Sequence, residues 1–195
     1  MTLAALRTAI RAEIANIVPF DDTENTAITE TLAWVDSGAE IFRLQKPATP
    51  PKHLVSYFLV VDGEHILLVD HIKAGLWLPT GGHVEPGEHP RETVEREIVE
   101  ELGIEAEFLS PSPIMLTATT TVGQMPGHVD VSLWYVVEGD RTISLQFDGT
   151  EFHQVQWFHR DAVPFDRADP ELGRVLAKLE TQGLLRCGTR QDAPL

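Results

Sequence analysis

The sequence predicts an α+β fold, a mixed β-sheet sandwiched between helices, with a helical extension on its N-terminal side. Three observations carry this prediction. Helical periodicity occupies residues 3–36, returns once in the middle of the chain and closes it after Pro170. Two β-rich runs, "HLVSYFLVVD" and "HILLVDH", are joined by Gly63-Glu64, which is a hairpin signal. Strand-like runs then recur at 114–122, 128–138, 141–146 and 152–158.

Taken in order, residues 3–18 and 23–36 read as amphipathic helices. The second is opened by "DDTE", where an Asp or Thr can cap and Glu24 favours the helix dipole, and Gly38 ends it. The segment "KPATPPK" holds three prolines in seven residues and cannot continue a helix. It reads as a linker dividing a helical extension, residues 1–46, from a second unit, residues 47–195. In the middle of the chain Pro86-Gly87 makes a turn, Pro90 suits a first helical turn and Gly103 suits the position just past a C-terminus, so a helix is predicted from Pro90 to Leu102. Alternation along the later strands sets Trp134 and Tyr135 on opposite faces, and puts His128, Asp130 and Ser132 together on a polar face that lines a pocket or meets solvent, with solvent the favoured expectation. Of Trp157 and Phe158, one is expected to enter the core.

Charge narrows the function. Thirty acidic residues against fifteen basic ones give a net charge of −15, without the basic footprint that a nucleic-acid polymer requires. A phosphate-rich ligand has to be met locally, by a few cations or by metal. No apolar run approaches membrane-spanning length, and Arg7, Arg11 and Glu13 interrupt the N-terminus as a secretory signal, so a cytoplasmic location is expected. The lone Cys187 fits a reducing compartment.

Against that background the segment "GHVEPGEHPRETVEREIVEELGI", residues 82–104, concentrates still more glutamate. At about 100° per residue, Glu97, Glu100 and Glu101 share one helix face beside an apolar stripe of Val94, Ile98 and Leu102. The stripe fixes the helix on the sheet, and Glu97 and Glu101, four residues apart, then repel. Arg96 alone cannot neutralise three carboxylates. Hard divalent cations can, since Mg²⁺ takes carboxylate oxygens together with waters and substrate phosphates. A solvated acidic face laced with salt bridges is the alternative.

Gly82, Glu88, Arg96, Glu97, Ile98, Glu100, Glu101, Gly103 and Ile104 fill every defined position of the Nudix box, so the segment resembles that family's signature. The resemblance extends over about 53–182 and implies a Nudix fold and a Mg²⁺- or Mn²⁺-dependent pyrophosphohydrolase acting on a diphosphate linkage in a nucleoside diphosphate derivative. By box position it implies that Glu97, Glu100 and Glu101 ligate metal, that one of them, Glu97 foremost, activates water, that Arg96 orients a glutamate, that Glu88 supports the loop and helix or contacts metal through water, and that Gly82 and Gly103 support the loop and helix. The Gly81 carbonyl and Glu151, in "GTEFHQVQWF", are further candidate ligands by the same resemblance.

His83 and Lys73 are candidates for substrate phosphate, and Trp157 and Phe152 for stacking on a base. The loop departs from the common form, because Thr80 stands between Leu78-Pro79 and the paired glycines. Positions 118 and 119 are Ala and Thr, without the proline found thereabouts in ADP-ribose pyrophosphatases, which tilts the expectation towards a nucleoside triphosphate such as 8-oxo-dGTP. ADP-ribose or nucleotide-sugar hydrolysis and a non-catalytic nucleotide sensor are the alternatives. An isoprenoid-diphosphate isomerase is disfavoured, because Cys187 lies in the tail beyond the last helix. The N-terminal helices could cover a sheet edge, shape the substrate mouth or form a homodimer contact.

Overall fold

Local capping explains where the helices start and stop in the computed structural model, which describes residues 1–46, 49–120 and 127–185. Thr2 caps α1 (Leu3–Asn16) by accepting from the Ala5 N–H, and Leu6, Ile10 and Ile14 form its buried face. The helix stops short of residue 18 because Val18 precedes Pro19, and the residue before a proline is disfavoured in the helical region. Asp21 caps α2 (Asp22–Asp36) through the Glu24 N–H. The central helix α3 runs Pro90–Leu102 as predicted: His89 and Glu92 form a reciprocal capping box, and Gly103 closes it in the left-handed conformation at φ 68°. Leu172–Thr181 forms α4.

Among the described residues, eight strands form one mixed sheet: β1 (Lys52–Asp62), β2 (His65–His71), β3 (Leu76–Leu78), β4 (Thr80–His83), β5 (Glu107–Phe108), β6 (Met115–Thr120), β7 (Val129–Glu138) and β8 (Phe152–His159). The hub is β1, parallel to β7 along its whole length, from Lys52↔Val129 to Val61↔Glu138. Its other edge is shared: β4 pairs with Val55–Phe58, while β2 joins only at Val61 and Asp62 after the Gly63-Glu64 turn. In turn β8 and β3 pair with β2, and β6 and β5 pair with β7. The splayed β2 and β4 leave β4, with its two glycines, free to meet α3.

Alternation feeds two cores. One face of the sheet, with Leu54, Phe58, Leu133 and Tyr135, packs under α1, α2 and α3, and the other, with Leu59, Val61, Trp134 and Val136, packs against α4. Trp134 and Tyr135 therefore point oppositely, as expected. Trp157 and Phe158 both pack inward, Trp157 on the α3 side and Phe158 on the α4 side, because the sheet is covered on both faces. The helical extension shares the first core. It is also pinned by Glu24, which is fully buried, accepts from Lys178 Nζ of α4 at 2.7 and 2.8 Å and from the Leu116 N–H of β6 at 3.1 Å.

The expected strand at 141–146 is not one. Asp140 accepts from the Thr142 N–H at 2.8 Å and its hydroxyl at 2.7 Å, which folds a turn, and Gln146 then donates to Leu102 O beside the end of α3. The short strands β3, β4 and β5 escaped the pattern because two to four residues carry no periodicity. Residues 121 and 122 of the expected strand 114–122 lie outside the described residues, as do Pro47 and Ala48 of the linker and Cys187. No helix among the described residues is long and apolar enough to cross a membrane.

Candidate active site

The buried stripe of α3, Val94, Ile98 and Leu102, sets the rotation of the helix and so aims Glu97 and Glu101 at β4. Glycine is needed at the meeting point. A Cβ on Gly82 would stand 1.8 Å from Glu97 Oε1, and one on Gly81 would stand 2.2 Å from the Ser56 carbonyl oxygen. The Gly81 N–H donates to Glu101 Oε2 at 3.2 Å.

A second layer holds these carboxylates. Arg96 donates to both oxygens of Glu88, at 2.9 and 3.1 Å, and to Glu97 Oε1 at 2.6 Å. Glu88 also accepts from the Thr93 hydroxyl at 2.7 Å and the Glu85 N–H at 3.1 Å. Burial alone would raise Glu88, but the bonds from Arg96 and Thr93 outweigh it and hold the group below the ordinary carboxylate value. Those same bonds, to Glu88 above all, keep Arg96 protonated. Glu100 is more open, with its carboxylate 3.5 Å from Arg96 Nη1.

Electrostatics single out Glu101. Burial first, and then the neighbouring Glu97 and Glu151, pushes its carboxyl up to about 9. Burial likewise raises Glu97. Several oxygens, backbone that approaches closely and acids that resist ionising together are what a hard cation would relieve, so the donor set fits Mg²⁺ or Mn²⁺.

The structure sorts the remaining candidates. Glu151 stands near Glu101 and 3.8 Å from His71 Nε2, at the mouth of the turn carrying the exposed Lys73. Phe152 is only 2% exposed and packs edge-on to His71, so it offers no open face to a base. Trp157 lies six residues further along β8 than Glu151, about 20 Å at the usual rise per residue, and packs against Val60 and Gly139. The structure does not bring Phe152 or Trp157 to the carboxylates as stacking surfaces. His83 is split: its carbonyl accepts from Arg96 Nη2 at 3.5 Å, while its ring turns away towards Asp130. Burial, and then the Arg43 cation, pushes that ring down to about 3, so it is neutral.

Two residues escaped sequence reasoning. Arg43, in the segment after α2, is a half-buried guanidinium lowered by desolvation but drawn by Asp130, Glu97 and Glu85. Nothing in its local sequence marks it. His53 could have been found by alternation: β1 pairs it with Asp130, and β4 sets His83 beside Val55 on the same face. The expectation that His128, Asp130 and Ser132 meet solvent is corrected accordingly. His128 and Ser132 are buried, and His53 and His83 close over that face of β7.

A family model described as the NUDIX domain matches residues 51–179. The NAD-capped RNA hydrolase ndx-9 of Caenorhabditis elegans is 31% identical over 163 residues, covering 76% of this chain and 40% of that protein, so the chain spans about 40% of this relative's length. A hydrolase of the NUDIX family from Clostridium perfringens superposes with a TM-score of 0.51 at 20% identity, over 67% of this chain and 97% of the other, and shows the fold. A MutT NUDIX hydrolase from Burkholderia pseudomallei gives a TM-score of 0.46 at 24% identity, over 57% and 85%.

Proposed function

The chain belongs to the NUDIX family, and from that premise we propose that it is a divalent-cation-dependent pyrophosphohydrolase that cleaves the diphosphate linkage of a nucleoside diphosphate derivative. The observation that carries this reading is the convergence of Glu97, Glu101 and the more open Glu100 on a glycine-lined strand, with Arg96 and Glu88 holding them. Glu97, Glu100 and Glu101, with the Gly81 carbonyl and Glu151, would hold Mg²⁺ or Mn²⁺. When bound, the cation supplies charge neutralisation for a diphosphate and lowers the pKa of water.

The chain's own residues do the rest. Arg96, locked on Glu88, fixes the Glu97 carboxylate in one orientation. Glu97 takes the proton of the attacking water, a role favoured by the burial that raises its proton affinity. One P–O bond forms to the water oxygen and the bridging P–O bond breaks, with the leaving phosphate carrying away the electron pair. Arg43 and Lys73 meet the charge on the remaining phosphate oxygens.

Two observations move the substrate reading away from an oxidised nucleoside triphosphate. Phe152 and Trp157 do not present stacking faces to the carboxylates, and the relative ndx-9 acts, by its name, on NAD-capped RNA. A dinucleotide or ADP-ribose-type diphosphate is therefore placed ahead of 8-oxo-dGTP. The test is hydrolysis of NADH, ADP-ribose, a nucleotide sugar, dGTP and 8-oxo-dGTP, followed by ³¹P NMR with Mg²⁺ or with EDTA. Cleavage of a diphosphate only with Mg²⁺, lost in Glu97→Gln, is expected. Absence of cleavage across the panel favours a nucleotide sensor and overturns the proposal.

A further inference from the structure

We propose that His53, His83, His128 and Asp130 form a binding site for one divalent transition-metal ion of the Zn²⁺ class, separate from the glutamates of α3. One ligand atom from each of the four lies within 4.8 Å of all the others. The Nε2 atoms of His53, His128 and His83 stand 3.2, 3.4 and 4.0 Å from the same Asp130 Oδ1. Ligands at the usual Zn–N and Zn–O lengths occupy tetrahedron corners about 3.3 Å apart. The cluster is thus near the required spacing, with His83 needing the largest adjustment.

Independent of spacing, the polar atoms are arranged as ligands. His53 is fully buried, and its Nδ1 lies 2.8 Å from the Pro50 carbonyl. A carbonyl can only accept, so Nδ1 carries the proton and Nε2 presents its lone pair to the cluster. Among the described residues that buried Nε2 has no hydrogen-bond partner, and neither do His83 Nε2 and Asp130 Oδ1. Such orphaned atoms in a protein interior need a reason, and an ion would satisfy all three at once. Three imidazoles and one carboxylate suit Zn²⁺ and its neighbours, not Mg²⁺, which prefers an oxygen shell. His83 is 27% exposed at the side chain, which leaves a path of entry.

The topology gives the site a purpose. It joins β1, β4 and β7 on the α4 face of the sheet, opposite α3. Through His83, whose carbonyl receives Arg96, it would brace the strand that carries Gly81 and Gly82. Arg43 is drawn to Asp130 first and would oppose the ion, but Glu97 and Glu85 draw it as well.

The probe is Co²⁺ added to the metal-free full chain in excess Mg²⁺. Tetrahedral Co²⁺ with imidazole ligands gives intense visible bands, whereas a six-coordinate oxygen site leaves it nearly colourless. One equivalent should develop these bands in the wild type and in Glu101→Gln, and Zn²⁺ should bleach them. His83→Gln and Asp130→Asn should each weaken uptake at least about 100-fold, since even outer-layer changes cost 10–100-fold. His83, the most open of the four, is the substitution least able to disturb folding, and circular dichroism checks it. Colourless wild type, or bands that survive both substitutions, overturns the proposal. Because Glu101→Gln is expected to keep the bands, failure here is distinct from failure of the pyrophosphohydrolase reading.

Discussion

Replacing Glu101 by Gln should stabilise the cation-free protein while disabling it. Burial, with Glu97 and Glu151 adding repulsion, pushes this carboxyl up to about 9 from an ordinary value of 4.5. Between those two values the unfolded chain has released the proton and the folded chain retains it. Stability therefore falls as pH rises, by about 1.4 kcal/mol per unit, and levels off only above the folded value. At pH 7.5, about three units above the unfolded value, the accumulated loss reaches about 4 kcal/mol. Glutamine cannot ionise, and its side-chain carbonyl can still accept the 3.2 Å bond from the Gly81 N–H. The expected outcome in urea titrations with EDTA is equal stability of the two proteins near pH 4.5, and a gap that widens to as much as about 4 kcal/mol in favour of Glu101→Gln by pH 7.5. Added Mg²⁺ should stabilise the wild type and leave the variant unmoved. Parallel pH profiles in EDTA would refute the reasoning, because they would mean that Glu101 ionises as easily folded as unfolded.

Three further outcomes follow from named contacts. Gly82→Ala places a Cβ 1.8 Å from Glu97 Oε1 and must displace that carboxylate, so kcat should drop about 100-fold, the scale of an ångström's misplacement, as read by steady-state hydrolysis. Lys178→Met strands the buried Glu24 carboxylate and should cost about 3–5 kcal/mol in urea unfolding, whereas Lys178→Met with Glu24→Leu should recover much of it. Arg43→Ala should raise KM about 10-fold with little change in kcat, the pattern of lost phosphate binding, in the same hydrolysis assay.

The legible part of this protein was whatever local chemistry encodes. Pro90, Gly103 and the stripe of Val94, Ile98 and Leu102 gave the central helix to the residue, because capping and burial periodicity act within one element. The hairpin at Gly63-Glu64 was legible for the same reason. What sequence reasoning lost depends on distant pairing. The polar face of β7 reads as a solvent face until the parallel β1 lays His53 against Asp130. Arg43 reads as an ordinary basic residue of the extension until the packing of α1 and α2 on the shared core brings it to Glu97. Phe152 looks available for stacking until β8 registers it beside His71 and buries it. A turn stapled by Asp140 likewise overrode the β-rich composition of 141–146.

The account rests on the glutamates of α3 recruiting a divalent cation, and Mn²⁺ titration followed by electron paramagnetic resonance tests it most directly. With the His and Asp cluster masked by Zn²⁺, the wild type should remove free Mn²⁺ from solution, Mg²⁺ should displace it, and Glu97→Gln with Glu101→Gln should abolish the uptake. Undiminished Mn²⁺ uptake in that double variant would contradict it.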